Sequence, residues 1–485
     1  MLFSSLEYLF FLPTVVLAFW LSPKPFRLPL LLFASYIFYM SWNPIMVLLV
    51  IAMTVFNFYW GKLIHTGGEK PRKKKLLIIG LAANLLCLAY FKYANFFIDS
   101  ALSAYNLVGH QNAHFALNII LPLGISFFVF EFVHYLVDIY RGNKPLDSFT
   151  LFALFAAFFP TQIAGPIKRY QDFSKQIQEE KKFQLSYLDE GVPLIILGLA
   201  KKVLIANNLA TVVDMMANTI SSYSAPELWV FAYAFAFQVY FDFSGYTDIA
   251  RGSAMLFGYR IPLNFNLPFI ASSMSDLWRR WHMSLTTWLR DYLLIPISGF
   301  RGSHTRFAIA TLITMTICGL WHGASWNFVL WGFYFGVCLV INNYFKRWRD
   351  NTEFLKSFFE SKYFNWLSIF LTFQTFCLGA VIFRIHDLKT DFALMKKMLT
   401  LTPFHGTNIG GQYILARPEL PVFVPVVLCI VAALLLANIP VSKLQESGLL
   451  KRVPVPIRAS YMVLLVFIML IFVPRSSSPF IYFQF

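Results

Sequence analysis

The sequence predicts an all-α polytopic membrane protein. Of its 485 residues, 58% are hydrophobic and 13% charged, where a soluble domain carries about 25% charged residues. Apolar stretches of the roughly 20 residues that a helix needs to cross a bilayer recur from one end of the chain to the other. Segments such as LLIIGLAANLLCLAYF and VVLCIVAALLLAN are apolar on every face. A transmembrane barrel would alternate in polarity over about 10 residues, so strands are a poor alternative.

The first expected span is 5–21. The opening MLFSSLEYLFFLPTVVLAFW has neither a basic leader nor an A-x-A-like cleavage site, and reads as a retained helix rather than a signal peptide. Spans follow at 28–41, 44–60, 76–97 and 119–139. Basic residues fill every second loop: Lys24 with Arg27, the run Glu69 to Lys75, and Arg141 with Lys144. By the positive-inside rule these loops are cytoplasmic and the N-terminus starts outside. The net charge of +16 therefore reads as topology determinants and lipid anchors, and no nucleic-acid partner is expected.

Segment 148–166 has basic residues at both ends, Lys144 before it and Lys168 with Arg169 after it, and is broken by Pro160, Gly165 and Pro166. It reads as re-entrant. Irregular backbone at membrane depth needs protein or a water-filled cavity around it, which implies an internal chamber. Further spans are expected at 190–213, 226–245, 307–322, 326–345, 363–385, 421–439 and 460–474, for a total of about eleven or twelve at helical length. The weakly apolar stretches 167–189, 346–362 and 386–420 are loop-sized, so residues 1–485 read as one transmembrane domain. The chain shows no internal repeat of the kind many secondary transporters carry, which weighs against a transporter. Cys87, Cys318, Cys338, Cys377 and Cys429 lie in apolar runs without C-x-x-C spacing and read as buried small residues. No metal site or bound cofactor is expected.

Residues 276–292, DLWRRWHMSLTTWLRDY, gather Trp278, Trp281, Leu285, Trp288, Leu289 and Tyr292 on one helical face. Arg279, Arg280, Thr287, Arg290 and Asp291 fall on the opposite arc. Such a helix lies in the interface or lines a funnel. His282 points with the apolar face, either as a buried hydrogen-bonded histidine or with a direct chemical role. Arg279, Arg280 and Arg290 suit either the phosphates of a nucleotide-bearing donor or anionic lipid headgroups.

His322 sits within the apolar stretch MTICGLWHGASW. An ionisable group at membrane depth is a functional-site hypothesis by default. A neutral imidazole is the base a hydroxyl acceptor needs, and structural hydrogen bonding is the competing role. Gly319, Gly323, Ala324 and Ser325 keep the surrounding helix surface small, for a neighbouring helix or for a substrate. In YFDFSGYTDIARG, Asp248 and Arg251 are spaced for a helical ion pair. Asp242 lies among aromatics and must find a partner such as a histidine or arginine. The other histidines, His134 beside Glu131 and Asp138 included, are assigned no role.

Five ordered motifs, LPLGISFFVFE at 121–131, FFPTQIAGPIKRYQDF at 158–173, YFDFSGYTDIARG, WRRWHMSLTTWLRDYL and GLWHGASWNFVLWG, together resemble the membrane-bound O-acyltransferase superfamily. The resemblance covers essentially the whole chain and is strongest to the bacterial branch that modifies alginate, peptidoglycan and teichoic acid. It implies a ring of helices with re-entrant and interfacial elements around a central tunnel, in the bacterial inner membrane. The family's catalytic histidine in its WHG context corresponds to His322, and its second polar position, in RRWHxSL, to His282 as a tunnel-lining or supporting residue. Acetyl-CoA is the implied donor, a periplasmic SGNH-type acetyltransferase the implied partner, and a polysaccharide the implied acceptor, directly or through that partner. A D-alanyl variant fed by a carrier protein, a transporter and a non-catalytic scaffold are the competing expectations.

Overall fold

The computed structural model describes residues 1–109, 115–299, 302–353, 359, 361–385, 387–400, 453–472 and 480. The expected span 421–439, with Cys429, lies outside the described residues. Among the described residues all regular structure is helical. Among the described residues, five helices are long and apolar enough to cross a membrane: Met46–Thr66, Lys70–Gly109, Leu185–Asn218, Trp326–Asp350 and Lys362–Arg384, with shorter apolar helices at Leu6–Leu21 and Val455–Ile471. The chain is an all-α, multi-pass membrane protein. It divides into two compact units, Met1–Ile195 with Tyr246–Pro262, and Ile196–Gly245 with Leu263–Phe485.

The first unit opens with α1 (Leu6–Leu21), α2 (Lys24–Met40), α3 (Met46–Thr66) and α4 (Lys70–Leu88). Ser5 caps α1 by accepting from the Tyr8 amide, and prolines in the first turns of α2 and α4 supply a preset helical φ where no amide partner is needed. A π-helical turn, Ala89–Tyr93, joins α4 to α5 (Ala94–Gly109). Asn57 and Asn84 exchange amide hydrogen bonds of 3.0 and 2.8 Å between α3 and α4, a link suited to lipid, where helices gain little from burying apolar surface alone.

The segment expected to be re-entrant lies at the centre of this unit. Gly124, at φ 73°, turns the chain into α6 (Ile125–Tyr140), whose residues are almost all buried. After α7 (Phe149–Ala157) the helix ends at Phe158, three residues before Thr161, and the chain runs without regular structure to α8 (Tyr170–Gln178). The break is satisfied internally: the Phe159 amide donates to Ser35 Oγ on α2 at 3.2 Å. Lys168, read from the sequence as a flanking cation, is 1% exposed. Its Nζ donates to Glu131 Oε1 at 2.7 Å and Thr161 Oγ1 at 2.6 Å, between the Phe155 and Phe173 rings. His134, one helical turn on from Glu131, accepts from the Tyr170 amide at 3.3 Å. Both side chains are buried, and each has a fixed polar partner that offsets the loss of water. Tyr8 and Ser253 share a 2.7 Å hydrogen bond, and the expected Asp248–Arg251 ion pair forms at 3.7 Å.

The second unit takes the end of α9 (Leu185–Ala200), a π-helical turn Lys201–Ala206, α10 (Asn207–Asn218) and the first two thirds of α11 (Ala225–Leu256). Gly245 lets α11 approach α9: a Cβ there would come within 2.7 Å of the Gly198 carbonyl oxygen. The expected single helix over 276–292 is two, α12 (Met274–Arg280) and α13 (Met283–Leu289), followed by a π-helical turn Arg290–Leu294 and α14 (Ile295–Ser298). Helix α15 (His304–His322), capped by Ser303, packs along α16 (Trp326–Asp350). They meet at facing glycines, where a Cβ on Gly319 would lie 2.8 Å from the Gly332 Cα. The small surface expected at Gly319 thus serves helix approach. Helices α17 (Lys362–Arg384), α18 (Leu388–Leu399) and α19 (Val455–Ile471) complete the described elements.

Candidate active site

His322 is the last residue of α15, and Gly323 leaves the helix in an extended conformation. Only glycine fits at 323, because a Cβ would meet the Phe328 ring. His322 is 7% exposed, so it is held inside the second unit rather than presented on its surface. Its imidazole centroid lies 4.7 Å from that of Trp321, 4.9 Å from Trp331 and 5.4 Å from Phe383. Ring planes meet at 67° to 78°, the edge-to-face arrangement aromatic quadrupoles favour. The pocket wall therefore comes from three helices, α15, α16 and α17. Such a surround is low in dielectric, and polar interactions made inside it are stronger than in water.

His282 falls at the break between α12 and α13, at φ 43°, a left-handed conformation rare for a residue with a side chain. Residues 264–266, which have no regular structure, pair with the break through backbone hydrogen bonds. The Met283 amide donates to the Asn264 carbonyl at 2.9 Å, the Ser284 amide to Asn264 Oδ1 at 3.1 Å, and the Asn266 amide to the Arg280 carbonyl at 2.9 Å. Backbone strain of this kind costs on the order of 1–3 kcal/mol and concentrates at functional sites. The His282 ring is 1% exposed, 4.7 Å from Phe243 and 6.2 Å from Trp321. Trp321 thus contacts both imidazoles. Of the face the helical wheel groups, Trp278, Trp281, Leu285, Trp288 and Leu289 are buried and Tyr292 is half-buried.

Asp242 is 3% exposed and pairs with Lys202 at 2.7 Å, where the sequence suggested a histidine or arginine. Lys202 sits in the π-helical turn after α9, a distortion frequent at functional positions. The readable signal was a lysine pair inside the apolar run LGLAKKVLIA. The arginines do not form one patch of equivalent groups. Arg280 Nε lies 2.9 Å from Asp276 and its Nη1 donates to the Asn266 carbonyl. Arg279, 72% exposed along its side chain, lies 3.6 Å from the same Asp276 carboxylate, and Arg290, 57% exposed, lies 2.7 Å from Asp291. Arg280 is committed to its own helix break, whereas Arg279 and Arg290 face outward.

Sequence reasoning missed Trp331 and Phe383, which wall His322, and Asn327 and Asp391, which join the elements that carry those rings. Asn327 and Trp331 lie within the quoted stretch GLWHGASWNFVLWG without a periodicity that singles them out, and Phe383 and Asp391 are some 60 to 70 residues further on.

Comparison with known proteins agrees with these motifs. Residues 141–382 match MBOAT, the membrane-bound O-acyltransferase family. The chain is 38% identical over 420 residues to a probable alginate O-acetylase of Pseudomonas aeruginosa, covering 85% of this chain and 78% of that one. It is 33% identical over 435 residues to a peptidoglycan O-acetyltransferase of Helicobacter pylori, covering 83% and 80%. It is 31% identical over 279 residues to a teichoic acid D-alanyltransferase of Bacillus subtilis, covering 55% and 69%.

Proposed function

Because the chain belongs to the membrane-bound O-acyltransferase family, and so is a membrane O-acyltransferase, we propose that it passes acetyl from cytoplasmic acetyl-CoA toward an envelope or secreted polysaccharide, with His322 as general base. The observation that carries this reading is the burial of His322 at the end of α15 inside a wall of Trp321, Trp331 and Phe383. An imidazole so enclosed keeps bulk water from competing with the acceptor hydroxyl.

Acetyl-CoA is multiply charged and cannot enter a hydrocarbon layer, so only its acetyl group needs to cross. In the proposed step the acceptor hydroxyl oxygen attacks the thioester carbonyl while His322 takes its proton. The tetrahedral intermediate then expels the CoA sulfur, which receives that proton and leaves as the thiol, and the acetyl ester remains on the acceptor. Helix α15 ends at His322, and the partial negative charge at a helix C-terminus favours the imidazolium formed in between. His282 supports the same space through Trp321, and outward-facing Arg279 and Arg290 are available to donor phosphates. The setting is the bacterial inner membrane. The acceptor is an alginate-like or peptidoglycan hydroxyl, or a relay hydroxyl on a periplasmic SGNH-type partner.

The relatives named for acetyl transfer match a larger share of the chain than those named for D-alanyl transfer, which favours acetyl. The test is the acetyl-ester content of the envelope and secreted polysaccharide in a deletion strain complemented with wild type or His322→Ala at matched membrane levels. Restoration by wild type alone supports the proposal and identifies the glycan. Equal restoration by both makes the chain a scaffold, and co-purification of a small acidic carrier protein would redirect the reading to D-alanyl transfer.

A further inference from the structure

We propose that Asn327 and Asp391 form a positioning pair that sets the spacing of the aromatic walls around His322; the inference rests on the reading of His322 as the general base. Asn327 is the second residue of α16, five residues beyond His322, and is 4% exposed. Its Nδ2 donates to the Ile385 carbonyl at 2.8 Å and to Asp391 Oδ2 at 2.6 Å. Ile385 is the residue at which α17 ends, two positions after Phe383. One amide group therefore ties the start of the helix that carries Trp331 to the end of the helix that carries Phe383, and both to α18.

The rings respond to that tie because they touch one another. Phe383 lies 5.4 Å from Trp331, 4.9 Å from Phe328 and 5.4 Å from the His322 imidazole. If α16 and the end of α17 separate, the Phe383 wall moves away from His322 while the imidazole keeps its place on α15. Asp391 is fully buried, its Oδ1 has no hydrogen-bond donor among the described residues, and no cation pairs with it there. A lone buried carboxyl facing an amide is a costly way to hold a helix, and an apolar side chain would serve α18 packing at least as well. Its placement is explained by what it does to Asn327: an acceptor at 391 fixes the orientation of the Asn327 amide, and with it the bond to Ile385.

Two nearly isosteric changes separate this role from general packing. Asn327→Asp removes the donor to both acceptors, and Asp391→Asn keeps an acceptor for Asn327. The experiment uses full-length protein purified in detergent and reads two quantities, the rate of His322 modification by diethyl pyrocarbonate, followed by peptide mass spectrometry, and steady-state acetyl transfer from acetyl-CoA. Asn327→Asp is expected to speed His322 modification about fivefold or more and to lower kcat about tenfold with KM for acetyl-CoA within about twofold, the pattern of a group that acts after binding. Asp391→Asn is expected to stay within about twofold of wild type in both readouts, and Asn327→Asp with Asp391→Asn to recover part of the loss by reversing the donor and acceptor. Unchanged His322 reactivity in Asn327→Asp overturns the inference, as does an Asp391→Asn protein as impaired as Asn327→Asp. A wild type that does not use acetyl-CoA overturns the proposed donor instead, and the labelling arm still decides the positioning role.

Discussion

Lys202 and Asp242 meet at 2.7 Å with side chains 9% and 4% exposed, so each charge is held away from water by the other. Removing one side chain deprives the other of this close, buried contact. Lys202→Met or Asp242→Leu alone is expected to destabilise the protein by about 3–5 kcal/mol, and the double variant to recover most of that loss. Thermal unfolding in detergent checks it. A double variant no more stable than the worse single one would mean the pair does more than neutralise charge.

The left-handed backbone at His282 makes the residue's shape matter apart from its ring. Asparagine tolerates that conformation and a β-branched residue does not. His282→Val is expected to lose about 1–3 kcal/mol more stability than His282→Asn. Both should lose acetyl transfer if the imidazole itself supports the reaction. Unfolding midpoints and acetylation assays on the same preparations separate strain from chemistry.

At the α15–α16 crossing, a Cβ on Gly332 would strike the Met315 carbonyl oxygen, which is backbone and cannot rotate away. Gly332→Ala is expected to cost about 1–3 kcal/mol and to lower activity, because the helix that must shift ends at His322. Ala324→Gly, beyond the crossing, is the control. A Gly332→Ala protein with wild-type stability would show that the two helices part without consequence.

Arg279 and Arg280 are neighbours with different commitments. Arg280→Ala removes contacts to Asp276 and the Asn266 carbonyl and is expected to lower stability. Arg279→Ala leaves the break intact. If Arg279 meets donor phosphates, its loss should raise KM for acetyl-CoA about 3- to 10-fold with stability unchanged, by analogy with other charge-assisted contacts. An unchanged KM removes Arg279 from the donor site.

Burial raises the Asp391 carboxyl from its ordinary 3.8 to about 8, with the Asn327 hydrogen bond opposing the shift and the nearby Asp387 charge adding to it. The folded protein therefore keeps a proton that the unfolded chain has released between about pH 4 and pH 8. The associated stability is complete below the lower value and is lost as pH rises through the upper one. Wild type should lose stability relative to Asp391→Asn as pH rises from 5 to about 8.5. A difference in melting temperature that stays flat across this range contradicts the assignment.

Much of the fold was legible in the sequence because lipid imposes simple rules. Long apolar runs must be helices, and the proline and glycine breaks at 160–166 had to fall where backbone groups find internal partners, as Phe159 finds Ser35. His322 and His282 were legible for a related reason, since polar rings in apolar surroundings stand out. The continuous helix over 276–292 was not correctly read: periodicity continues across a single left-handed residue, and nothing local to His282 announces the break that Asn264 stabilises. Partners were harder still. Lys202 lies 40 residues before Asp242, Asp391 lies 64 after Asn327, and Lys168 lies 37 after Glu131, distances at which only folding reveals the pairing.

The burial of Lys168 also bears on how the protein is made. A lysine ammonium entering a lipid-facing environment alone costs about 2.5–3.5 kcal/mol even when a translocon delivers it, so the chain just beyond segment 148–166, which carries Lys168, gains nothing by entering ahead of its partner. Glu131 and Ser35 are both synthesised first, on α6 and α2, and together supply the carboxylate and the hydroxyl that the segment needs. The order of synthesis thus places both polar partners in the chain before the broken segment that uses them.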